Sequence, residues 1–312
     1  MSIIEKAMEK ARANEREQAK QIKKGLLGNK QISNDSSSVV ELVHESVVQN
    51  EHKNVGLVDR VNVETKTNIS NIVSINRKKL SEQGYLCFED TNSQLFEEYR
   101  IIKRPLVNNV LNGKKNKISR ANLILVTSSQ PGEGKTFTAI NLALSIASER
   151  DKKVLLVDAD VAKPSISNVL DIKDNKYGLI DYLDGKDLDF SQMMIKTDVA
   201  GLSIIPAGSR HGFSTELLAS KRMALLADEL HSRYSDRIVI FDSPPLLVTT
   251  QAEVLAGLVG QVVLVVEAEK TLQSMVDDSI NKLKVCDVVL ALLNKSTHVG
   301  EFNYYGYGQY GH

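Results

Sequence analysis

Six apolar runs of four to six residues punctuate the C-terminal part of the chain, at 123–127, 154–157, 202–206, 238–241, 262–266 and 288–293. Between them, apolar positions return at helical spacing. Runs without polar alternation are the mark of parallel strands buried on both faces, and the amphipathic segments between them supply the covering helices. The pattern predicts an α/β fold with a doubly wound, mostly parallel sheet, helices on both faces, and a start near residue 85–95. No internal repeat is visible.

The N-terminal part reads differently. Residues 2–26 mix Ala, Glu, Lys, Arg and Gln, with Ile4, Met8, Ala11 and Ile22 on a sparse apolar seam that Glu15 and Gln18 interrupt. A charged helix is predicted over 1–27, either solvated and laced with i,i+4 charge pairs or docked on a partner. From 28 to 84 the composition turns to Asn, Ser, Val, Lys and Glu without a sustained period, which reads as a disordered linker. Short clusters in it, such as Val39-Val40-Glu41-Leu42-Val43, could add as a strand to a partner. The folded domain is expected over 85–296, including a helix near 94–104, and a flexible tyrosine-rich tail over 297–312.

Composition narrows the function classes. The 312 residues, 42% hydrophobic and 25% charged, can bury a sizeable core, and a formal net charge of zero gives no reason to expect nucleic acid as a partner. Cys87 and Cys286 lack ligand spacing, which argues against a disulfide framework or a structural zinc site and fits a reducing cytoplasm. The most apolar stretch, 259–266, is far shorter than the roughly 20 residues a bilayer span needs, and the charged N-terminus does not read as a signal peptide. The chain is expected to be soluble unless a partner holds it at a membrane.

The chemistry lies at the ends of the apolar runs. Ser129-Gln130-Pro131-Gly132-Glu133-Gly134-Lys135-Thr136 follows the first run and opens a helical stretch, with Phe137 next in the nucleotide-binding segment. A phosphate loop works by aiming backbone N–H groups and a helix N-terminus at phosphate oxygens. Lys135 would reach the β- and γ-phosphates of ATP and the Thr136 hydroxyl would ligate Mg²⁺. Ser129 replaces the usual first glycine. Two further runs end in acids: Asp158-Ala159-Asp160, and Asp242 followed by Ser243-Pro244-Pro245. Ligands in an open parallel sheet bind outside these carboxyl ends, so the three acids and the loop can hold Mg²⁺, directly or through its waters, and leave one carboxylate as a base. The plainer reading makes Asp158 and Asp160 caps of a following helix.

These motifs in this order resemble the bacterial tyrosine kinases, which belong with the MinD/ParA-type P-loop ATPases. On that resemblance the phosphate loop is the Walker A motif, Asp158-x-Asp160 is Walker A′, and Phe241-Asp242-Ser243-Pro244-Pro245 is Walker B. MinD/ParA relatives usually carry an extra lysine early in the loop, and here none precedes Lys135. Glu97, Arg100 and Lys103 match the Glu-x-x-Arg-x-x-Arg helix that joins subunits of the family into a ring, with lysine for the last arginine and Arg104 beside it. At i, i+3 and i+6 they are expected to share one helix face; a solvated charged helix is the alternative. Asn294 falls where relatives contact adenine, and a turn residue at a strand end is the alternative there. Ala162-Lys163-Pro164, the opening Ser2-Ile3-Ile4-Glu5-Lys6-Ala7 and the segment 99–106 look like the exosortase-associated subgroup from exopolysaccharide clusters.

The resemblance implies an ATP- and Mg²⁺-dependent autokinase with Lys135, Asp158 and Asp160 as catalytic residues. Its substrate would be the terminal tyrosines Tyr304, Tyr305, Tyr307 and Tyr310, four of the nine in the chain, phosphorylated by a neighbouring subunit in a ring. It also implies a transmembrane polysaccharide co-polymerase as activator, a cognate tyrosine phosphatase, and a peripheral position at the inner membrane. Spacing leaves open whether Asp158 or Asp160 is the base. Two other readings stay open: a MinD/ParA-like switch without kinase activity, and a structural protein with a degenerate site. Gly/Tyr tails also occur as sticky disordered segments.

Overall fold

The computed structural model describes residues 72–87, 91–173 and 177–297. The charged helix at 1–27, most of the linker and the tyrosine tail lie outside them. All six apolar runs are strands: β2 (Leu123–Ser128), β3 (Lys153–Asp158), β5 (Leu202–Ile205), β6 (Arg237–Asp242), β7 (Gln261–Glu267) and β8 (Val288–Asn294). Two shorter strands, β1 (Ile72–Val73) and β4 (Ile195–Thr197), complete one eight-stranded sheet in the order β1-β4-β5-β3-β6-β2-β7-β8. Every neighbouring pair is parallel except β4 with β5.

Side chains alternate across a strand, so each central strand feeds two cores. Leu125, Val157 and Phe241 enter one apolar cluster; Val126, Leu156 and Ile240 enter the other. The first cluster is closed by α5 (Leu179–Leu183), α7 (Ser214–Leu218), α8 (Lys221–Ser232) and α9 (Gln251–Ala256), with α6 (Phe190–Met193) contributing Phe190 and Met193. Ile166 of the short α4 (Ile166–Val169) lies in the second cluster. The second is closed by α1 (Arg77–Glu82), α2 (Gln94–Asn116) and α3 (Lys135–Ala147). Helix α3 is buried at every position from Thr138 to Ala147, which makes it the central helix of that face. The last helix, α10 (Gln273–Lys282), buries only Ser279.

The linker expected over 28–84 ends earlier, because residues 72–84 are part of the fold. Ile75 and Leu80 are buried in the α2–α3 core, as is Leu86 just beyond. Asp198 accepts from Ile75 N at 3.0 Å and from the Ser74 hydroxyl at 2.9 Å, while Leu86 N donates to Asn141 Oδ1 at 2.8 Å. Pieces this short show no period along the chain, and their order comes from partners more than 50 positions away.

The helix expected near 94–104 runs on to Asn116, through Pro105. Ser93 caps its start, accepting from Phe96 N, and Lys117 in the left-handed region closes its end. Proline in a helix interior removes one hydrogen bond. Pro105 is exposed, so the carbonyl left behind faces water, and Leu106, fully buried next to it, holds the helix on the core.

The same helix corrects the face expected for Glu97, Arg100 and Lys103. Each step of three residues falls 60° short of a full turn, so i+6 lies about 120° from i. Glu97 and Arg100 pair with each other on the surface, whereas Lys103 is buried. Its ammonium donates to Ser145 O at 2.6 Å and pairs with Glu149 at 2.9 Å. Arg104 stays exposed and lines, with Arg100, Val107 and Leu111, a groove of about 530 Å³ between α2 and the end of α3.

Candidate active site

Three strand ends and one helix start meet at the carboxyl edge of the sheet. The phosphate loop leaves β2 at Ser128 and enters α3 at Lys135. Gly132 and Gly134 both have positive φ, at 88° and 98°, and Gly134 caps the helix. A Cβ on Gly134 would displace the Asn294 side chain, and its φ of 98° suits glycine.

The sequence-selected acids converge on the loop. Lys135 Nζ donates to Asp160 Oδ2 at 2.7 Å, and the Thr136 hydroxyl donates to Asp242 Oδ2 at 2.7 Å. Asp158 Oδ2 accepts from Ser165 N and Ile166 N, both at 3.1 Å, at the start of α4. Asp160 Oδ1 accepts from Lys163 N at 3.0 Å. The helix-capping reading is therefore right for Asp158 as far as one oxygen goes. Its other oxygen, Oδ1, and Oδ1 of Asp242 are buried with no hydrogen-bond partner among the described residues.

Electrostatics sets these two acids apart. Burial pushes the Asp242 carboxyl up to about 7, opposed by the Lys135 ammonium and reinforced by the Asp158 charge. Burial pushes Asp158 up to about 6, against the two backbone N–H groups it accepts from. Two buried acids, each with one oxygen unsatisfied, destabilise a fold unless something else uses them. The orphaned Asp242 oxygen and the Thr136 hydroxyl, with the Asp160 carboxylate, form a hard oxygen donor set that suits Mg²⁺. Mg²⁺ would need only one or two carboxylates here, since it completes its shell with phosphate oxygens and water.

The rest of the loop is held from the β7 and β8 side. Glu133 accepts from Gln130 N at 2.8 Å and from the Thr271 hydroxyl. The Ser129 hydroxyl meets Ser279 at 2.8 Å, which gives the residue in place of the first glycine a partner on α10. Asn294 Nδ2 donates to Glu133 O at 2.9 Å, so in this structure it touches the loop backbone. Phe137 packs against Tyr85 with ring centroids 4.9 Å apart. Pro131 is exposed at the tip. Sequence reasoning passed over Thr271, Ser165 and Lys295, whose ammonium donates to Gly132 O at 2.6 Å. Only the Asn-Lys pair ending the last apolar run offered a signal for the last of these.

Residues 121–287 match the family model described as AAA domain. The tyrosine-protein kinase YwqD of Bacillus subtilis is 31% identical over 235 residues, covering 74% of this chain and 94% of that protein. The chain belongs to the bacterial tyrosine-protein kinases. The solved VpsO kinase domain superposes with a TM-score of 0.53 at 29% identity, over 67% of this chain and all of that domain. A putative tyrosine-protein kinase EpsB from Ralstonia nicotianae is 34% identical over 200 residues, and there the match covers only 26% of the relative's length. The chain spans about a quarter of that relative's length. No helix among the described residues is long and apolar enough to cross a membrane.

Proposed function

We propose that the protein is an ATP- and Mg²⁺-dependent tyrosine autokinase that phosphorylates Tyr304, Tyr305, Tyr307 and Tyr310 of a neighbouring copy. The single observation that carries the reading is the pairing of Lys135 with Asp160 and Thr136 with Asp242, beside a buried Asp158 with an unused oxygen. Family membership and the tyrosine cluster at 304–310 support it.

Each side chain has a task that follows from its surroundings. Lys135, released from Asp160 when phosphates arrive, would neutralise charge on the transferring group. Thr136 and Asp242 would hold Mg²⁺, with Asp160 direct or through water. When bound, the ion supplies charge neutralisation across the phosphates. Asp158 is the better base: both Asp160 oxygens have donors, whereas Asp158 keeps Oδ1 free and titrates near the pH at which a general base works best. The tail's glycines let each tyrosine ring reach a site at small steric cost.

Phosphates adding roughly 1.5–2 negative charges each would repel neighbouring tails and open a ring of subunits. Glu97, Arg100 and Arg104 on the exposed side of α2 are the ring contacts in this reading, with Lys103 supporting them from inside. A separate transmembrane polysaccharide co-polymerase as activator, a cognate phosphatase, a cytoplasmic position at the inner membrane and control of exopolysaccharide synthesis or export complete it.

The test is incubation with Mg-ATP, with and without Lys135→Met, followed by peptide mapping of 297–312. Phosphate on the tail only with Lys135 intact is expected. ATP hydrolysis with an unmodified tail, even with an activator fragment added, would favour the partner-switching ATPase.

A further inference from the structure

Two residues at the end of β8 touch the phosphate loop from outside. Lys295 Nζ donates to Gly132 O at 2.6 Å, and Asn294 Nδ2 donates to Glu133 O at 2.9 Å. These are consecutive carbonyls of the loop. A trans peptide is planar, so its C=O and the following N–H point in opposite directions. Fixing Gly132 O toward β8 turns the N–H of Glu133 away from β8, and fixing Glu133 O does the same for Gly134. In the strand order β3-β6-β2-β7-β8, the direction away from β8 is the side of β6 and β3, which carry Asp242 and Asp158.

We propose that Asn294 and Lys295 are positioning residues that orient the Glu133 and Gly134 amides of the phosphate cradle before nucleotide arrives. This rests on the nucleotide-binding reading above and assigns the pair a role on the loop backbone. Three features fit a built contact. Gly134 leaves no room for a side chain where Asn294 sits. Lys295 adopts φ 58°, in the left-handed region. Its ammonium is also held by Glu267 Oε2 at 3.2 Å, and Glu267 is shared with Lys270, so the donor is itself oriented. Amides pointed at the phosphates in advance spare the complex the cost of ordering them.

The test titrates the full chain and three variants, Asn294→Asp, Lys295→Met and Lys295→Arg, with Mg-ADP and separately with magnesium tripolyphosphate, which has no base. Asp cannot donate to the Glu133 carbonyl, and Met keeps the stem of Lys295 without its ammonium. Each of these two is expected to weaken both probes by roughly tenfold, the scale of one charge-assisted or buried hydrogen bond, with Lys295→Arg close to the parent. Melting temperatures of the ligand-free proteins are expected to stay together. If Asn294→Asp weakens Mg-ADP but leaves tripolyphosphate unchanged, Asn294 contacts the base and the proposal is overturned for it. Parent-like tripolyphosphate binding by both variants overturns the proposal entirely while leaving the nucleotide reading standing. A parent protein that binds neither probe overturns both.

Discussion

The Thr136 hydroxyl donates to Asp242 Oδ2 at 2.7 Å, tying the first turn of α3 to the end of β6. Asp242 is fully buried, its other oxygen is unsatisfied, and burial raises its pKa from 3.8 to about 7. The folded state therefore holds this proton at pH values where the unfolded chain has released it, and stability falls as pH rises from about 4 to about 7. Asp158 shifts in the same direction and is common to parent and variant. Asp242→Asn, measured by thermal melting without metal or nucleotide, is expected to melt above the parent at pH 8. A gain of about 2 °C or more corresponds to roughly 1 kcal/mol at this size. The gap should shrink toward pH 5, and an Asn variant that melts lower at pH 8 would contradict the sign.

Asp158 and Asp160 are separable by the step they affect. Asp158→Asn keeps Lys135 and its partner in place, so Mg-ADP affinity should stay within about threefold while tail phosphorylation falls roughly 10²–10⁴-fold, the range of general-base catalysis. Asp160→Asn removes the carboxylate that holds Lys135 at 2.7 Å and should change nucleotide affinity as well. Single-turnover phosphorylation beside an ADP titration reads both. Equal effects of Asp158→Asn on binding and transfer would remove it as the base.

Lys103 and Arg104 are neighbours with opposite duties. Lys103→Met strips the ammonium from Ser145 O and Glu149 and is expected to cost about 1–3 kcal/mol. Arg104→Ala, on the exposed side, should stay within roughly 0.5 kcal/mol in denaturant titration. In sedimentation the order should reverse, with Arg104→Ala weakening self-association at concentrations where Lys103→Met remains folded.

Gly208 has φ 89°, and a Cβ there would lie 2.5 Å from Asp181 Oδ2. That oxygen accepts from Gly178 N at 2.9 Å and Ser209 N at 3.0 Å. Burial alone would push Asp181 up, but the donors, led by Lys186, hold it below the usual carboxylate range. Gly208→Ala should therefore destabilise, by more than the roughly 1 kcal/mol that the same change can add at a compatible site, because it strains the backbone and displaces a buried carboxylate from its donors. Equilibrium unfolding of the two proteins at pH 7 checks this.

The sequence by itself determined the six long strands and the chemical inventory. Strands β2, β3, β5, β6, β7 and β8 coincide with apolar runs because strands covered on both faces need apolar residues at consecutive positions, and no local alternative hides so many. The phosphate loop was legible because its glycines and lysine are contiguous, and the acids because each ends such a run. Tertiary structure decided what lies between distant segments. The ordering of residues 72–84 depends on Asp198, and β1 and β4 are too short to carry a period. Lys103 turns inward because α3 offers the Ser145 carbonyl and Glu149 follows just past its end, and spacing along α2 carries no information about those neighbours. The hold of Asn294 and Lys295 on the loop joins positions about 160 residues apart, a contact that exists only once β2, β7 and β8 lie side by side.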